Sequence, residues 1–127
     1  MNTDKLEGTK LANFTPLSKV AELQVTDTIE GTGETVLAGA TITAHYTGAL
    51  CADGTIFQSS HDFGEPVTFP LDRVIAGWTQ GVPGMKVGGT RRLVIPSDMA
   101  YGSVRAAANI PPNSDLVFDI ELVAVAS

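Results

Sequence analysis

The largest aromatic side chains of this sequence occur in short segments that are punctuated by turn residues. Both tyrosines and the only tryptophan lie in His45–Gly48, Val74–Trp78 and Ala100–Gly102. Large rings flanked by turn residues predict a lined cavity, and tyrosine adds a hydroxyl donor to such a lining. The chemistry that these residues favour is the binding of an apolar group in a pocket with few polar anchors.

Residue types for other chemistries are present but poorly spaced. His45 and Cys51 lie six residues apart on one predicted strand, and ~3.3 Å per residue separates them by roughly 20 Å, too far for a nucleophilic pair. Besides Cys51 the chain has only His45 and His61 as nitrogen or sulfur ligands, without metal-site spacing, so no metal is expected. Gly31–Gly33 begins a phosphate-loop pattern, but no suitable helix follows, which predicts a hairpin turn instead.

Composition limits the classes of protein that remain. The 127 residues fit one domain, and 43% of them are hydrophobic without any run long enough for a membrane helix. The net charge of −6 disfavours nucleic acid and anionic membranes as partners. The single cysteine cannot form an internal disulfide. The first ten residues lack the apolar core of a signal peptide, so a cytoplasmic protein is expected by default, and an extracytoplasmic one if a leader was trimmed.

The pattern along the chain predicts an α+β domain. Residues 1–19 are polar and without period, which predicts a flexible arm, and residues 20–127 form the domain. Alternation and β-branched residues predict strands from Ala21 to the turn at Gly31, then at Thr41–Leu50, Thr55–Phe57, Val67–Phe69, Thr90–Ile95 and Leu116–Val125. One short helix is expected over Asp72–Gln80, with Asp72 as its cap. The five or six strands make an antiparallel sheet, and the helix covers its apolar face.

Taken together, the motifs resemble the FK506-binding-protein family of peptidyl-prolyl cis/trans isomerases. The three aromatic segments occur in the family's order with Ile56–Ser60, Ile110–Pro112 and Leu116–Asp119, and the resemblance covers residues 20 to 126. It implies a sheet wrapped around one short helix, with a shallow pocket between them. It also implies isomerisation of X-Pro bonds in polypeptides during folding, without a cofactor.

The resemblance assigns a role to each matching position. It implies that Trp78 forms the pocket floor, that the backbone N–H of Ile75 and the hydroxyl of Tyr101 donate to substrate carbonyls, and that the remaining matches form walls, rim and mouth. The implied catalytic residues are Tyr46, Phe57, Gln58, Ile75, Trp78, Tyr101 and Phe118, and the implied substrate-binding residues are Val67, Phe69, Val74 and Ile110.

The rim departs from the family pattern. Gln58 stands where an aspartate is common, Val67 where another aromatic is common, and Ala106 where the prototypes carry a larger group. Loss of the aspartate's charge is expected to lower activity and macrolide affinity. Two functions therefore stay open: an isomerase that prefers an apolar residue before proline, and a weakly or non-catalytic module that binds proline peptides in the same pocket. Macrolides of the FK506 or rapamycin type are candidate ligands, and a monomer is expected.

Residues outside the matched set receive structural interpretations. Alternation sends Arg91 and Arg92 to opposite faces of a strand, so one is expected to pair with a carboxylate such as Asp119 and the other to be solvated. Phe14 and Phe63 are expected to be packing residues.

Overall fold

The computed structural model describes residues 6, 8–11, 14–17, 19–102 and 110–126. These residues form six strands and one α-helix: β1 (Gln24–Ile29), β2 (Thr41–Leu50), β3 (Ile56–Ser59), β4 (Val67–Pro70), α1 (Ala76–Gly81), β5 (Thr90–Ile95) and β6 (Leu116–Ala126). Short 3₁₀ turns occupy Ser60–Asp62 and Ser97–Met99. Every strand pairing is antiparallel, which confirms the predicted α+β class with a sheet around one short helix.

Strand β2 is the centre of the sheet. The strand order is β1-β5-β6-β2-β3, and β4 also pairs with β2. One edge of β2 pairs with β6 along its whole length. The other edge is divided, because β3 pairs with Thr47 to Ala49 and β4 pairs with Thr41 to Ala44. His45 and Tyr46 therefore face a gap between two short strands on that edge.

Helix α1 lies unusually close to the sheet, and two glycines make this approach possible. A Cβ atom on Gly77 would lie 2.6 Å from the side chain of Ile95, and one on Gly81 would lie 2.7 Å from that of Leu93. Residues four apart share one face of a helix, so both glycines present backbone to β5. The close contact leaves Trp78, next to Gly77, buried between helix and sheet.

The helix begins later than the sequence predicts. Its N-cap is Ile75, which makes no side-chain capping hydrogen bond, so the predicted cap at Asp72 is wrong. Asp72 lies a full turn upstream of the first helical residue, and there the chain folds back as a turn. Thr79 stabilises that turn by donating its hydroxyl to the carbonyl of Leu71 at 2.6 Å.

Both arginines of β5 are paired, so the expected solvated arginine is absent. Arg92 donates to Asp119 at 2.7 Å, as predicted. Arg91 donates to its cross-strand partner Asp27 at 2.6 Å, and its Nη1 donates to the carbonyl of Gly81 at 2.8 Å. The latter bond satisfies a terminal carbonyl of α1 and ties the end of the helix to the sheet.

The predicted hairpin turn at Gly31–Gly33 is also wrong. Strands β1 and β2, which precede and follow it, are not neighbours in the sheet. The glycines instead allow a close approach to the segment before β5, because a Cβ on Gly31 would lie 2.3 Å from the carbonyl oxygen of Lys86. Gly33 donates its N–H to Val87 at 3.0 Å in the same contact.

The sequence predicts a flexible arm over residues 1–19, whereas the described residues of this stretch lie against the domain. The N–H of Leu11 donates to the carbonyl of Gly54 at 2.8 Å, and Lys10 bridges to Thr55 beside β3. Leu11 and Val20 are buried in a second apolar cluster that includes Cys51. Their apolar side chains explain the packing, and the boundary at residue 20 stays a prediction.

The contact between α1 and β5 predicts the effect of adding one methyl group. In Gly77→Ala the new Cβ clashes with fully buried Ile95, and overpacking of this kind costs roughly 1–3 kcal/mol. Alanine's better helix propensity returns only about 1 kcal/mol, so we expect net destabilisation in denaturant unfolding. The control is Gln80→Ala on the exposed side of the same helix. A Gly77→Ala protein as stable as wild type would contradict the close approach.

Candidate functional site

A pocket of about 490 Å³ opens between α1 and the sheet. It brings together nine of the eleven residues that the sequence assigned to a site. The lining residues are Tyr46, Phe57, Gln58, Phe69, Arg73, Val74, Ile75, Trp78, Tyr101 and Phe118. Most of them are apolar, as the aromatic segments predict.

Trp78 lies at the base of an aromatic cage. Its ring centroid is 5.8 Å from that of Tyr46, 5.0 Å from that of Phe69 and 5.4 Å from that of Phe118. The interplanar angles are 76°, 68° and 86°, so the three rings stand nearly perpendicular to the indole. Edge-to-face contacts of this kind are favourable. The indole therefore forms a floor surrounded by aromatic walls, and Trp78 is 4% exposed.

Four strands supply the walls, and one glycine makes room for two of them. Tyr46, Phe57, Phe69 and Phe118 come from β2, β3, β4 and β6 respectively. A Cβ on Gly48 would lie 2.6 Å from the ring of Phe57 and 2.7 Å from that of Phe118. With only hydrogen at this position, the two rings meet edge to face at 5.7 Å.

Polar groups are few in this lining. Tyr101 is 40% exposed at the pocket, and Gln58 is also exposed. The backbone N–H of Ile75, directly before α1, makes no hydrogen bond to the described residues. The indole N–H of Trp78 is likewise buried without a hydrogen-bond partner among them. The pocket thus combines an apolar cage with a backbone donor at Ile75 and a phenolic donor at Tyr101.

Burial changes the acidity of both tyrosines. Desolvation raises the pKa of Tyr46 above its ordinary value of 10.0, and the nearby Tyr101 raises it further. Desolvation also raises the pKa of Tyr101. Both hydroxyls are therefore protonated at neutral pH and are available as hydrogen-bond donors.

Arg73 is the pocket residue that sequence reasoning missed. It is exposed, and among the described residues it is the only charged side chain in the lining. In the part of the chain that the structure describes, no carboxylate forms an ion pair with it, unlike Lys10, Arg91 and Arg92. Its position directly before Val74 and Ile75, the predicted rim, is the sequence feature that could have indicated its place at the pocket.

Two predicted binding residues do not line the pocket. Val67 is partly buried at the start of β4, where it pairs with Ala44. Ile110 is buried in the main core, and the preceding loop, including Ala106, lies outside the described residues. Phe63, directly after the first 3₁₀ turn, is 63% exposed, so its predicted role as a packing residue is wrong. The roles of Val67 and Ile110 stay predictions.

The thiol of Cys51 lies in an environment that is unsuitable for a nucleophile. Cys51 is fully buried in the second cluster, and desolvation raises its thiol pKa to about 12. A thiol with that pKa is not a nucleophile at neutral pH.

Among the described residues, no group of three or more histidine, cysteine and acidic side chains is placed to hold a metal ion. None of the helices described has the length and apolar character needed to cross a membrane.

An antiparallel sheet around one short helix, with an aromatic pocket between them, defines a class of domain that binds an apolar group beside a few hydrogen-bond donors. The sequence model of the family described as FKBP-type peptidyl-prolyl cis-trans isomerase matches residues 32–123. The chain therefore belongs to the FKBP-type peptidyl-prolyl cis-trans isomerases. The predicted family and enzyme class are confirmed.

Similar proteins support the same assignment. Peptidyl-prolyl cis-trans isomerase FPR2 of Saccharomyces cerevisiae is 52% identical over 93 residues, which cover 72% of this chain and 69% of the yeast protein. An FK506-binding protein of Neisseria meningitidis serogroup A is 45% identical over 84% of this chain and 98% of its own length. The crystal structure of a peptidyl-prolyl cis-trans isomerase from Pseudomonas syringae has a TM-score of 0.75 at 41% identity, covering 87% of this chain and 80% of that one.

The raised tyrosine pKa values predict the alkaline titration of the protein. The chain has two tyrosines, so tyrosinate absorbance reports only on the pocket. We expect both to ionise above pH 10 in the folded protein and near 10 in denaturant. Because the folded-state pKa values are raised, their contribution to stability is present below pH 10 and is lost as pH rises through those values. Tyr101→Phe isolates Tyr46, and ionisation of either folded tyrosine below pH 10 would contradict the burial.

Proposed function

We propose that the pocket between α1 and the sheet holds the proline of an X-Pro segment while its peptide bond isomerises. The observation that carries this proposal is the aromatic cage around Trp78, which is open to solvent and nearly free of charge. Rotation about a prolyl bond breaks no covalent bond, and its barrier of roughly 18–20 kcal/mol comes from amide resonance. An isomerase of this kind needs no nucleophile and no cofactor.

Each part of the pocket has a proposed role. The face of Trp78 receives the prolyl ring, and the rings of Tyr46, Phe57, Phe69 and Phe118 exclude water around it. Val74 and Ile75 form the rim. The backbone N–H of Ile75, which makes no hydrogen bond to the described residues, and the hydroxyl of Tyr101 donate to carbonyl oxygens on the two sides of the proline and so orient the peptide.

This environment lowers the barrier by favouring the twisted amide. A planar amide is stabilised by resonance that separates charge, and water solvates that charge, whereas an apolar pocket does not. A site that fits the twisted amide better than the planar one accelerates the rotation about tenfold for each ~1.4 kcal/mol of preference. The cage and its two donors are the parts of this chain that supply that preference.

A weakly catalytic or non-catalytic module is the second candidate. Gln58 favours it, because an exposed neutral amide at the pocket replaces the aspartate expected from the resemblance. We propose that macrolides of the FK506 or rapamycin type compete with peptides for this pocket under either candidate. The monomeric state and the cytoplasmic location stay predictions.

Isomerisation of a Leu-Pro tetrapeptide at low temperature separates the two candidates, because uncatalysed exchange takes tens of seconds or longer. We expect catalysis by wild type and a kcat/KM about twofold to tenfold lower in Tyr101→Phe, which loses one neutral hydrogen bond of roughly 0.5–1.5 kcal/mol. Phe63→Ala is the control, since Phe63 is exposed and does not line the pocket. Peptide binding by wild type without turnover would establish the binding module instead.

We further propose that Arg73 gives the site a preference for acidic residues near the X-Pro pair. In the part of the chain that the structure describes, Arg73 is the only charged side chain of the lining and has no ion pair. A free guanidinium beside an apolar pocket attracts a carboxylate that the substrate carries next to its proline segment. In a chain with net charge −6, this local positive charge also offsets general repulsion of acidic clients.

Matched peptides test that preference. We expect Glu-Leu-Pro-Ala or Ala-Leu-Pro-Glu to exceed its glutamine counterpart in kcat/KM by about twofold to fivefold at low salt, the range of an exposed ion pair. The advantage should vanish in Arg73→Gln and shrink in high salt, while Lys86→Gln, in a different cavity, should retain it. Equal ratios in wild type and Arg73→Gln would rule out the role of Arg73.

A further inference from the structure

The gap on the edge of β2 leaves the backbone N–H and C=O of Tyr46, a pocket residue, without a strand partner on that side. β3 pairs with Thr47 and the residues after it, and β4 pairs with Ala44 and those before it. Tyr46 lies between them and is buried. A buried N–H and C=O that lose their strand partner need another hydrogen-bond partner.

A single hydroxyl serves both groups. The N–H of Tyr46 donates to Ser60 Oγ at 2.8 Å, and Ser60 Oγ donates to the carbonyl of Tyr46 at 3.3 Å. Ser60 is fully buried at the start of the 3₁₀ turn that follows β3. Its side chain therefore acts as a one-residue substitute for the missing strand.

The same hydroxyl also meets a histidine, and this restricts the proton positions. His45 Nδ1 lies 2.9 Å from Ser60 Oγ. A serine hydroxyl has one hydrogen, so it cannot donate to Nδ1 and to the Tyr46 carbonyl at once. All three contacts are satisfied only if Nδ1 carries a proton and donates to Ser60, whose own hydrogen then goes to Tyr46.

Neighbouring groups hold the His45 ring from the outside. His61 stacks on it with centroids 4.2 Å apart and planes 11° apart. His61 in turn is fixed by its Nε2 contact with Glu121 at 2.6 Å. The imidazole of His45 thus has an ordered position from which Nδ1 points at Ser60.

We propose that Ser60 is a positioning residue for the pocket wall, and that His45, protonated at Nδ1, directs the Ser60 hydroxyl onto the Tyr46 carbonyl. This fixes the backbone from which the Tyr46 ring reaches to 5.8 Å from Trp78. The consequence for activity rests on the proposed function, because it assumes that Tyr46 walls the substrate pocket. The hydrogen-bond arrangement itself does not depend on it.

Nitrogen NMR of the His45 ring tests the proton position directly. We expect a protonated Nδ1 in the folded enzyme near neutral pH, whether Nε2 is protonated or not. A bare Nδ1 with the proton on Nε2 alone would overturn the proposal, because Ser60 would then donate to His45 and leave the Tyr46 carbonyl unpaired.

Two neighbouring serines provide a matched pair of variants. Ser59 is as deeply buried as Ser60, but its hydroxyl bonds to Thr47 and to the N–H of His61, not to Tyr46. We expect Ser59→Ala and Ser60→Ala to lose similar stability. Only Ser60→Ala should shift the Tyr46 amide signal and the emission of Trp78, and it should lower kcat/KM about tenfold, equivalent to ~1.4 kcal/mol.

The substitution of His45 completes the test. His45→Asn places an amide N–H near the position of Nδ1, so it should keep the Tyr46 amide signal closer to wild type than His45→Ala does. Equal spectra in Ser59→Ala and Ser60→Ala would overturn the proposal even if both variants lost activity. If wild type bound peptides without turnover, the proposed catalysis would fail, while the ring protonation and the amide shifts would still decide the role of Ser60.

Discussion

The architecture depends on the close contact of helix α1 with strand β5. Gly77 and Gly81 bring the helix backbone directly onto Ile95 and Leu93, and no other residue would fit at either position without displacing these side chains. This contact sets the depth at which Trp78 sits. Because three wall rings pack against that indole, the size and shape of the pocket depend on the distance between the backbones of α1 and β5.

The sheet must also leave room for the aromatic rings of the pocket. Its strands must carry large rings on one face at adjacent positions, which would crowd in a sheet of ordinary composition. Gly48 relieves the crowding between Phe57 and Phe118. The helix end is held by Arg91, whose guanidinium joins Asp27 of β1 to the carbonyl of Gly81. The apolar pocket thus depends on glycine at positions 48, 77 and 81 and on the buried guanidinium of Arg91.

The strands and the pocket rings could be predicted from the sequence, because alternation, turn residues and aromatic segments are local signals. Strand β5 has the predicted bounds, and β2 does as well. The wrong inferences concern contacts that no local sequence signal records. Asp72 has the right residue type for a helix cap, but the hydroxyl of Thr79 holds the preceding turn in another conformation. The pairing of Arg91 depends on β1 lying beside β5, and Arg73 at the pocket depends on the path of the chain before α1, neither of which leaves a periodic pattern.

The second apolar cluster also bears on what counts as the domain. The family match begins at residue 32, yet Leu11 and Val20 are buried behind the sheet against Ala49, Ile56 and Val117. Ala49, Ile56 and Val117 lie in β2, β3 and β6, three of the strands that carry the aromatic walls of the pocket. The apolar packing of the sheet therefore extends beyond the segment that the family model matches. A fragment cut to the matched segment would expose an apolar surface on the reverse of the sheet, where aggregation would compete with folding.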